Sequence, residues 1–258
     1  MRAELPEQVG QDDLRLLVSD IDGTLLDEGA STAGLTSLRL LLDAYGAAIR
    51  LVYATGRSYG STRRLVDEGI LPQPAAVAAF VGTELWLPPW KAPDPTYERT
   101  VIAGWDRERV GRVMAGFDDL EPQPDEFQTP LKASYYLRDP ERIEEVAEAL
   151  RRAGLRFRLV YSGGELFDVL PAEAGKRRAI EHLQRRWGVK HTRVLAAGDS
   201  GNDLDMLSDP RYLAVAVGNA EAELQKLNGD TRVYVADLPH AAGVLEGVER
   251  YDFFDSER

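Results

Sequence analysis

The chain has 258 residues, 44% apolar and 29% charged, enough for one large or two smaller folded units with an ordinary polar surface. It contains no cysteine, which excludes disulfides, thiolate metal sites and a cysteine nucleophile. Its 31 Lys and Arg against 43 Asp and Glu leave a formal charge of −12, which argues against nucleic acid and anionic lipid as partners, since both are bound through clustered basic charge. Any site for an anion in so negative a chain needs local positive charge from a cation, a lysine or backbone amides.

No apolar run approaches the roughly 20 residues needed to span a bilayer. Residues 1–13, MRAELPEQVGQDD, read as a flexible polar leader without the apolar stretch of a signal peptide, and the simplest location is the cytoplasm. Residues 14–19 form a short apolar run that stops at Asp20, the pattern of a buried strand leaving a sheet. Apolar spacing over 31–46 predicts a helix stopped by Gly46. A second strand is expected at 49–54, a helix through 63–68, and a third strand at 76–81 that continues through 84–87 beyond a turn at Gly82. This alternation argues for a parallel sheet with helices on both faces, whose ligands bind at the carboxyl ends of the strands.

Four prolines between 88 and 95 mark a linker. Beyond it the rhythm changes: a strand-like TYERTV, a helix at 107–117, a polar stretch to 130, the strand LKASYYL, a helix at 140–153, and the strands RFRLVYS and ELFDVL joined at Gly163-Gly164. Strand–helix alternation resumes after 171, with helix 175–187, strand 193–197, helix 203–207 and strand 213–217. The expected organisation is a discontinuous α/β core, 14–88 and 172–258, with a smaller α+β unit inserted at 89–171.

Four segments carry chemistry. Asp20 and Asp22 stand two apart at a strand end, so both side chains can converge on one site; Gly23 permits a tight turn and Thr24 adds a hydroxyl. One such carboxylate can be a nucleophile and the other a proton donor, and the two repel unless a cation or shared proton is present. Thr55 and Gly56, at the second strand-to-helix turn, offer a hydroxyl and backbone amides to phosphate oxygens. Lys176 opens a helix as a point charge suited to a phosphoryl oxygen, with Arg177 and Arg178 as neighbouring alternatives. Gly198-Asp199-Ser200-Gly201-Asn202-Asp203 places two carboxylates and an amide in a tight loop, hard oxygen ligands of the kind that suit Mg²⁺.

In this order DIDGT, ATGRS, Lys176 and GDSGNDLDML resemble the four-motif signature of the haloacid dehalogenase superfamily of phosphatases. The resemblance implies a Rossmann-like parallel-sheet core and an inserted cap. It also implies that Asp20 attacks phosphorus, Asp22 serves as general acid and then base, and Thr55 and Lys176 hold the phosphoryl oxygens with help from Thr24, Gly56 and Asn202. Mg²⁺ would be held by Asp20, Asp22, Asp199 and Asp203. Within the superfamily the chain is most similar to the sucrose-phosphate phosphatases, through YATGRSYGS, VGTELW, GFDDLEPQ, LKASYYL, VYSGGELFDVLP, VGNAEAEL and HAAGVLEGVERYDFF. Two departures are the Gly at 23, where close relatives often have another residue, and the longer leader.

That likeness implies a small sugar-phosphate substrate, sucrose 6-phosphate first, with mannosylfructose phosphate or other sugar phosphates as alternatives. Other readings are a phosphomutase, or a non-catalytic partner of a sucrose-phosphate synthase; intact motifs oppose the latter. Sugar selectivity is expected in the cap. Gln128, Lys132 and Tyr135, with Arg57 and Glu84 at the core edge, are the candidates to hold hydroxyls, while Tyr135 and Tyr136 can equally pack a small sheet. His240 reads as structural.

Overall fold

The computed structural model describes residues 14–27, 33–225, 227 and 233–254; the leader, and the first two residues of the helix predicted from 31, lie outside the described residues. All five residues of β1 (Arg15–Ser19) are buried, as a strand covered on both faces must be. It pairs in parallel with β2 (Ile49–Ala54) on one side and β9 (Val194–Gly198) on the other. With β3 (Ala76–Ala79), β10 (Leu213–Ala216), β11 (Val233–Val235) and β4 (Glu84–Trp86) the order is β11-β10-β9-β1-β2-β3-β4, parallel except at β4. Alternation along β1 divides the core. Leu16 and Val18 join the cluster under α6 (Lys176–Trp187), while Leu17 joins the one under α1 (Ala33–Tyr45) and α9 (His240–Arg250).

Two expectations give way here. Residues 84–87 do not continue the third strand: Phe80, Val81 and Gly82 all have positive φ (47°, 59° and 77°), the chain reverses, and β4 returns antiparallel with Glu84 opposite Ala79. TYERTV is not a strand either. Asp94 accepts hydrogen bonds from the Thr96 and Tyr97 amides and Pro95 takes the first helical position, so these residues form α3 (Pro95–Val101). Tyr97 and Val101 then pack into the core, and the Tyr97 hydroxyl donates to the Gly82 carbonyl at 2.6 Å.

The second sheet is antiparallel, ordered β5 (Glu121–Pro122), β6 (Ala133–Tyr136), β8 (Leu166–Pro171), β7 (Phe157–Ser162). It has its own apolar cluster, in which Val110 and Met114 of α4 (Arg107–Met114) and Val146 and Leu150 of α5 (Ile143–Arg152) cover Tyr135, Phe167 and Val169. Among the described residues the remaining α-helices are α2 (Tyr59–Asp67) and two single turns, α7 (Leu204–Leu207) and α8 (Ala222–Gln225). Among the described residues no helix is long and apolar enough to cross a membrane.

Candidate active site

Because β1 and β9 are parallel neighbours, the residues that follow them emerge side by side. Asp20 donates its amide to the Ala197 carbonyl at 3.0 Å, and Asp199 stands just past the end of β9. The loop between Asp20 and Leu25 is folded tightly over this point. Gly23, at φ 75°, leaves no room for a Cβ, which would collide with the Asp199 carboxylate, and Thr24 donates its hydroxyl to Asp199 Oδ1 at 2.6 Å. Lys176 enters at the start of α6 with no exposed surface; its ammonium lies 3.0 Å from Asp20 Oδ2 and 2.7 Å from Asp203 Oδ1. The other oxygen of Asp203 accepts the amides of Asp199 and Ser200 at 3.0 and 3.2 Å. Asp203 therefore fastens the lysine to the loop bearing Asp199.

Burial raises the Asp20 carboxyl well above the usual carboxylate range; Lys176 opposes the shift, and Asp203 and Asp199 add to it. Burial alone would lower the lysine, but Asp20 and Asp203 outweigh it and its pKa is raised. Asp199 is pushed up to about 6, first by burial and then by Asp203, against the hydroxyl of Thr24 and the charge of Lys176. Oxygen atoms of Asp20, Asp199 and Asp203 lie within 4.8 Å of one another. One ammonium against three crowded carboxylates, all hard oxygen donors, is a set that fits a divalent cation such as Mg²⁺. Asp203 has both oxygens engaged, by Lys176 and by two amides, and Asp20 likewise, by Lys176 and the Ile21 amide, whereas Thr24 engages only Oδ1 of Asp199.

Asp22 is placed elsewhere. Its carboxylate lies outside this cluster and is gripped by Arg57, whose Nε and Nη2 donate to it at 2.7 and 2.6 Å, so the structure brings together three of the four carboxylates expected at a metal and sets Asp22 apart. Thr55, fully buried at the end of β2, accepts the Arg57 amide on its hydroxyl at 3.1 Å. Asp20, Asp22, Gly56, Arg57, Asp199 and Asn202 open together into a cavity of about 480 Å³ whose other wall belongs to the second sheet. A separate cleft of about 550 Å³ opens on the side of Arg158 and Asp205; it shares Val81 and Asn202 with the first but does not reach Asp20.

Of the residues expected to meet a sugar, Lys132 lines the cavity and pairs with Asp168 at 3.0 Å, and Arg57 lines it from the core. Three others do not line it. Glu84 accepts the Trp86 indole N–H and borders a different depression. Gln128 spends its amide bracing the turn before β6, donating to the carbonyls of Gln123 and Ser134 and accepting the Ser134 amide. Tyr135 points into the apolar cluster of the second sheet, and Tyr136 faces the cavity instead. Strand alternation explains this: Lys132 and Tyr136 are four apart and share a face, whereas Lys132 and Tyr135 cannot. The cavity also holds Gln123, Ser162, Asp168 and Glu221, which sequence reasoning missed. Asp168, an acidic residue inside the otherwise apolar run LFDVLP, was the one with a visible signal.

The parallel sheet with carboxylates at the ends of two adjoining central strands, a buried lysine between them and a second sheet across the cavity defines the haloacid dehalogenase fold with a cap. The solved structure of a sucrose-phosphatase from Synechocystis sp., in complex with sucrose and phosphate, superposes with a TM-score of 0.86 at 32% identity, covering 95% of this chain and all of that one. The family model of sucrose-6F-phosphate phosphohydrolase matches residues 13–252, and the chain belongs to that family. A probable sucrose-phosphatase of Arabidopsis thaliana is 31% identical over 237 residues, 88% of this chain and 56% of its own length, so the chain spans little more than half of that plant relative. The mannosylfructose-phosphate phosphatase of Agrobacterium fabrum is 30% identical over 243 residues, 92% of this chain and 97% of its own.

Proposed function

We propose that the chain hydrolyses the phosphate monoester of sucrose 6-phosphate through a phospho-aspartyl intermediate on Asp20. The observation that carries this reading is the buried Asp20–Lys176–Asp203 contact set beside Asp199, opening into a cavity with a polar wall on the cap. An Asp20 oxygen attacks phosphorus and the bond from phosphorus to the sugar oxygen breaks, with the proton for that oxygen coming from Asp22. Asp22 then takes a proton from water, the water oxygen bonds to phosphorus, and the Asp20–phosphorus bond breaks to release phosphate. Lys176, Thr55 and the Gly56 amide hold the phosphoryl oxygens, joined by Thr24 and Asn202. Because Arg57 grips Asp22, an incoming phosphate must loosen that pair before the carboxyl can deliver its proton. Asp20 and Asp199 would hold Mg²⁺, backed by Asp203, and a divalent cation there supplies charge stabilisation to the transferred group. Lys132, Asp168 and Tyr136 are the groups offered to sugar hydroxyls, with residues 89–171 as the specificity unit except that α3 packs with the core.

The test is phosphate release from sucrose 6-phosphate, mannosylfructose phosphate, glucose 6-phosphate, fructose 6-phosphate and p-nitrophenyl phosphate, with Mg²⁺ and again after EDTA. A preference for sucrose 6-phosphate of about 10²-fold in kcat/KM, worth about 2.7 kcal/mol, is the expected outcome. Flat rates across the panel would sink the sugar assignment, and full activity in EDTA would sink the cation. A second reading, mannosylfructose-phosphate hydrolysis, is favoured by the length-matched Agrobacterium fabrum relative and is decided in the same panel.

A further inference from the structure

Glu221, half-buried just before α8, belongs to none of the four motifs, yet it touches both sides of the cavity. Its amide donates to the Asp199 carbonyl at 2.7 Å, which seats it behind the metal-binding loop. Its two carboxylate oxygens then part ways. Oε2 accepts the Gly201 amide at 2.9 Å, inside that loop, and Oε1 accepts the Gly163 amide at 2.9 Å, in the exposed turn joining β7 to β8. A Cβ on Gly201 would run into the Tyr161 carbonyl, so loop and hairpin meet backbone to backbone at this point. The far end of β7 is tied down separately by the Arg158–Asp205 ion pair.

Resting on the phosphatase reading above, we infer that Glu221 is a positioning residue: it clamps the cap hairpin onto the Asp199–Asn202 loop and so sets where Ser162 and Leu166 stand relative to the phosphate. A substrate whose leaving group reaches the cap uses that placement, whereas a small aryl phosphate uses it little. Selectivity for the sugar phosphate therefore depends on one carboxylate that itself takes no part in the chemistry. An amide in its place keeps a single acceptor oxygen and can satisfy only one of the two backbone donors.

The experiment compares wild type with Glu221→Ala and Glu221→Gln, each first shown to fold by its thermal midpoint. Two readouts are taken: amide hydrogen exchange at Gly163 and Gly201 without substrate, and kcat and KM for sucrose 6-phosphate and p-nitrophenyl phosphate. In Glu221→Ala both amides should lose protection, and kcat/KM for the sugar phosphate should fall about tenfold relative to the aryl phosphate, mainly through KM, as expected for losing charge-assisted hydrogen bonds. Glu221→Gln should fall between. Equal losses on both substrates, or Gly163 protection unchanged in Glu221→Ala, would overturn the inference. If the wild-type protein shows no sugar-phosphate activity, the functional reading fails by itself and exchange at Gly163 still decides the clamp.

Discussion

Replacing Lys176 by Met keeps the length of the stem and removes only the charge. In the folded protein that charge sits 3.0 Å from Asp20 and 2.7 Å from Asp203, with all three side chains at 5% exposure or less. Removing one member of a buried ion pair leaves its partners uncompensated and costs about 3–5 kcal/mol. For a chain of this size that lowers the thermal midpoint by about 10 °C. The sign of the pH dependence follows from which groups titrate. The lysine's folded pKa is raised, so the stability it contributes is fully present below the unfolded value of 10.5 and does not vary near neutrality. In the variant Asp20, whose carboxyl burial already raises well above the usual range, loses the cation that opposes the shift, so its folded pKa rises further and the folded state binds more protons than that of wild type. The stability of the variant therefore increases as pH falls, and its deficit against wild type narrows between pH 7.5 and 5.5. Urea unfolding followed by circular dichroism at both pH values measures this. A deficit below about 1 kcal/mol at pH 7.5 would refute the argument that these charges depend on one another, since it falls outside the cost expected for a broken buried pair. An equal deficit at the two pH values would refute the protonation account.

Asp20→Asn should cut phosphate release by on the order of 10⁴-fold or more, because the amide cannot attack phosphorus, while the circular dichroism spectrum stays that of wild type. Mg²⁺ affinity, measured by calorimetry, should weaken as pH falls below about 6, since Asp199 takes up a proton there and proton and cation compete for the same oxygens. Tyr136→Ala should raise KM for the sugar phosphate with little change in thermal midpoint. Tyr135→Ala should do the reverse, destabilising the protein by about 3 kcal/mol through the cavity it leaves in the cap cluster.

The core was legible because its information is local. A buried parallel strand is a short apolar run, and β1, β2 and β9 each end where a catalytic type of residue begins. Lys176 and Asp203 could be placed near Asp20 by motif, but their mutual contact is a product of the fold. The turn at Gly82 was legible from its glycine, but the antiparallel return of β4 was not, since it also depends on positive φ at Phe80 and Val81, residue types that rarely adopt it. Residues 96–101 mislead in another way: threonine, tyrosine and valine favour strands, and the capping by Asp94 and Pro95 outweighs them. Alternation from Lys132 puts Tyr136 on the cavity face and Tyr135 in the apolar cluster, a distinction that two adjacent residues of one type do not carry by themselves. Glu84 and Gln128 were polar residues in the right neighbourhood whose hydrogen bonds were already committed, to the Trp86 indole and to the backbone around Ser134. The Arg57–Asp22 pair and the reach of Glu221 to Gly163 join residues 35 and 58 apart, and no spacing rule predicts them.

The distribution of charge reconciles a chain at −12 with the chemistry proposed for it. Four carboxylates stand at the site, and the two cations that contact them are assigned to different members. Lys176, permanently buried, serves Asp20 and Asp203, while Arg57, a third exposed at the mouth, serves Asp22. Asp199 is left with a threonine hydroxyl and a distant share of the lysine, and it is the carboxylate driven to about 6. The positive charge still missing is therefore missing at one place, beside Asp20, and a mobile divalent cation fits there better than a third basic side chain. A negative exterior raises the local concentration of such cations, whereas a basic one would exclude them and gather every passing anion. The net charge acts at long range on the cation, and the close-range attraction for phosphate is left to Lys176, Arg57 and the loop amides.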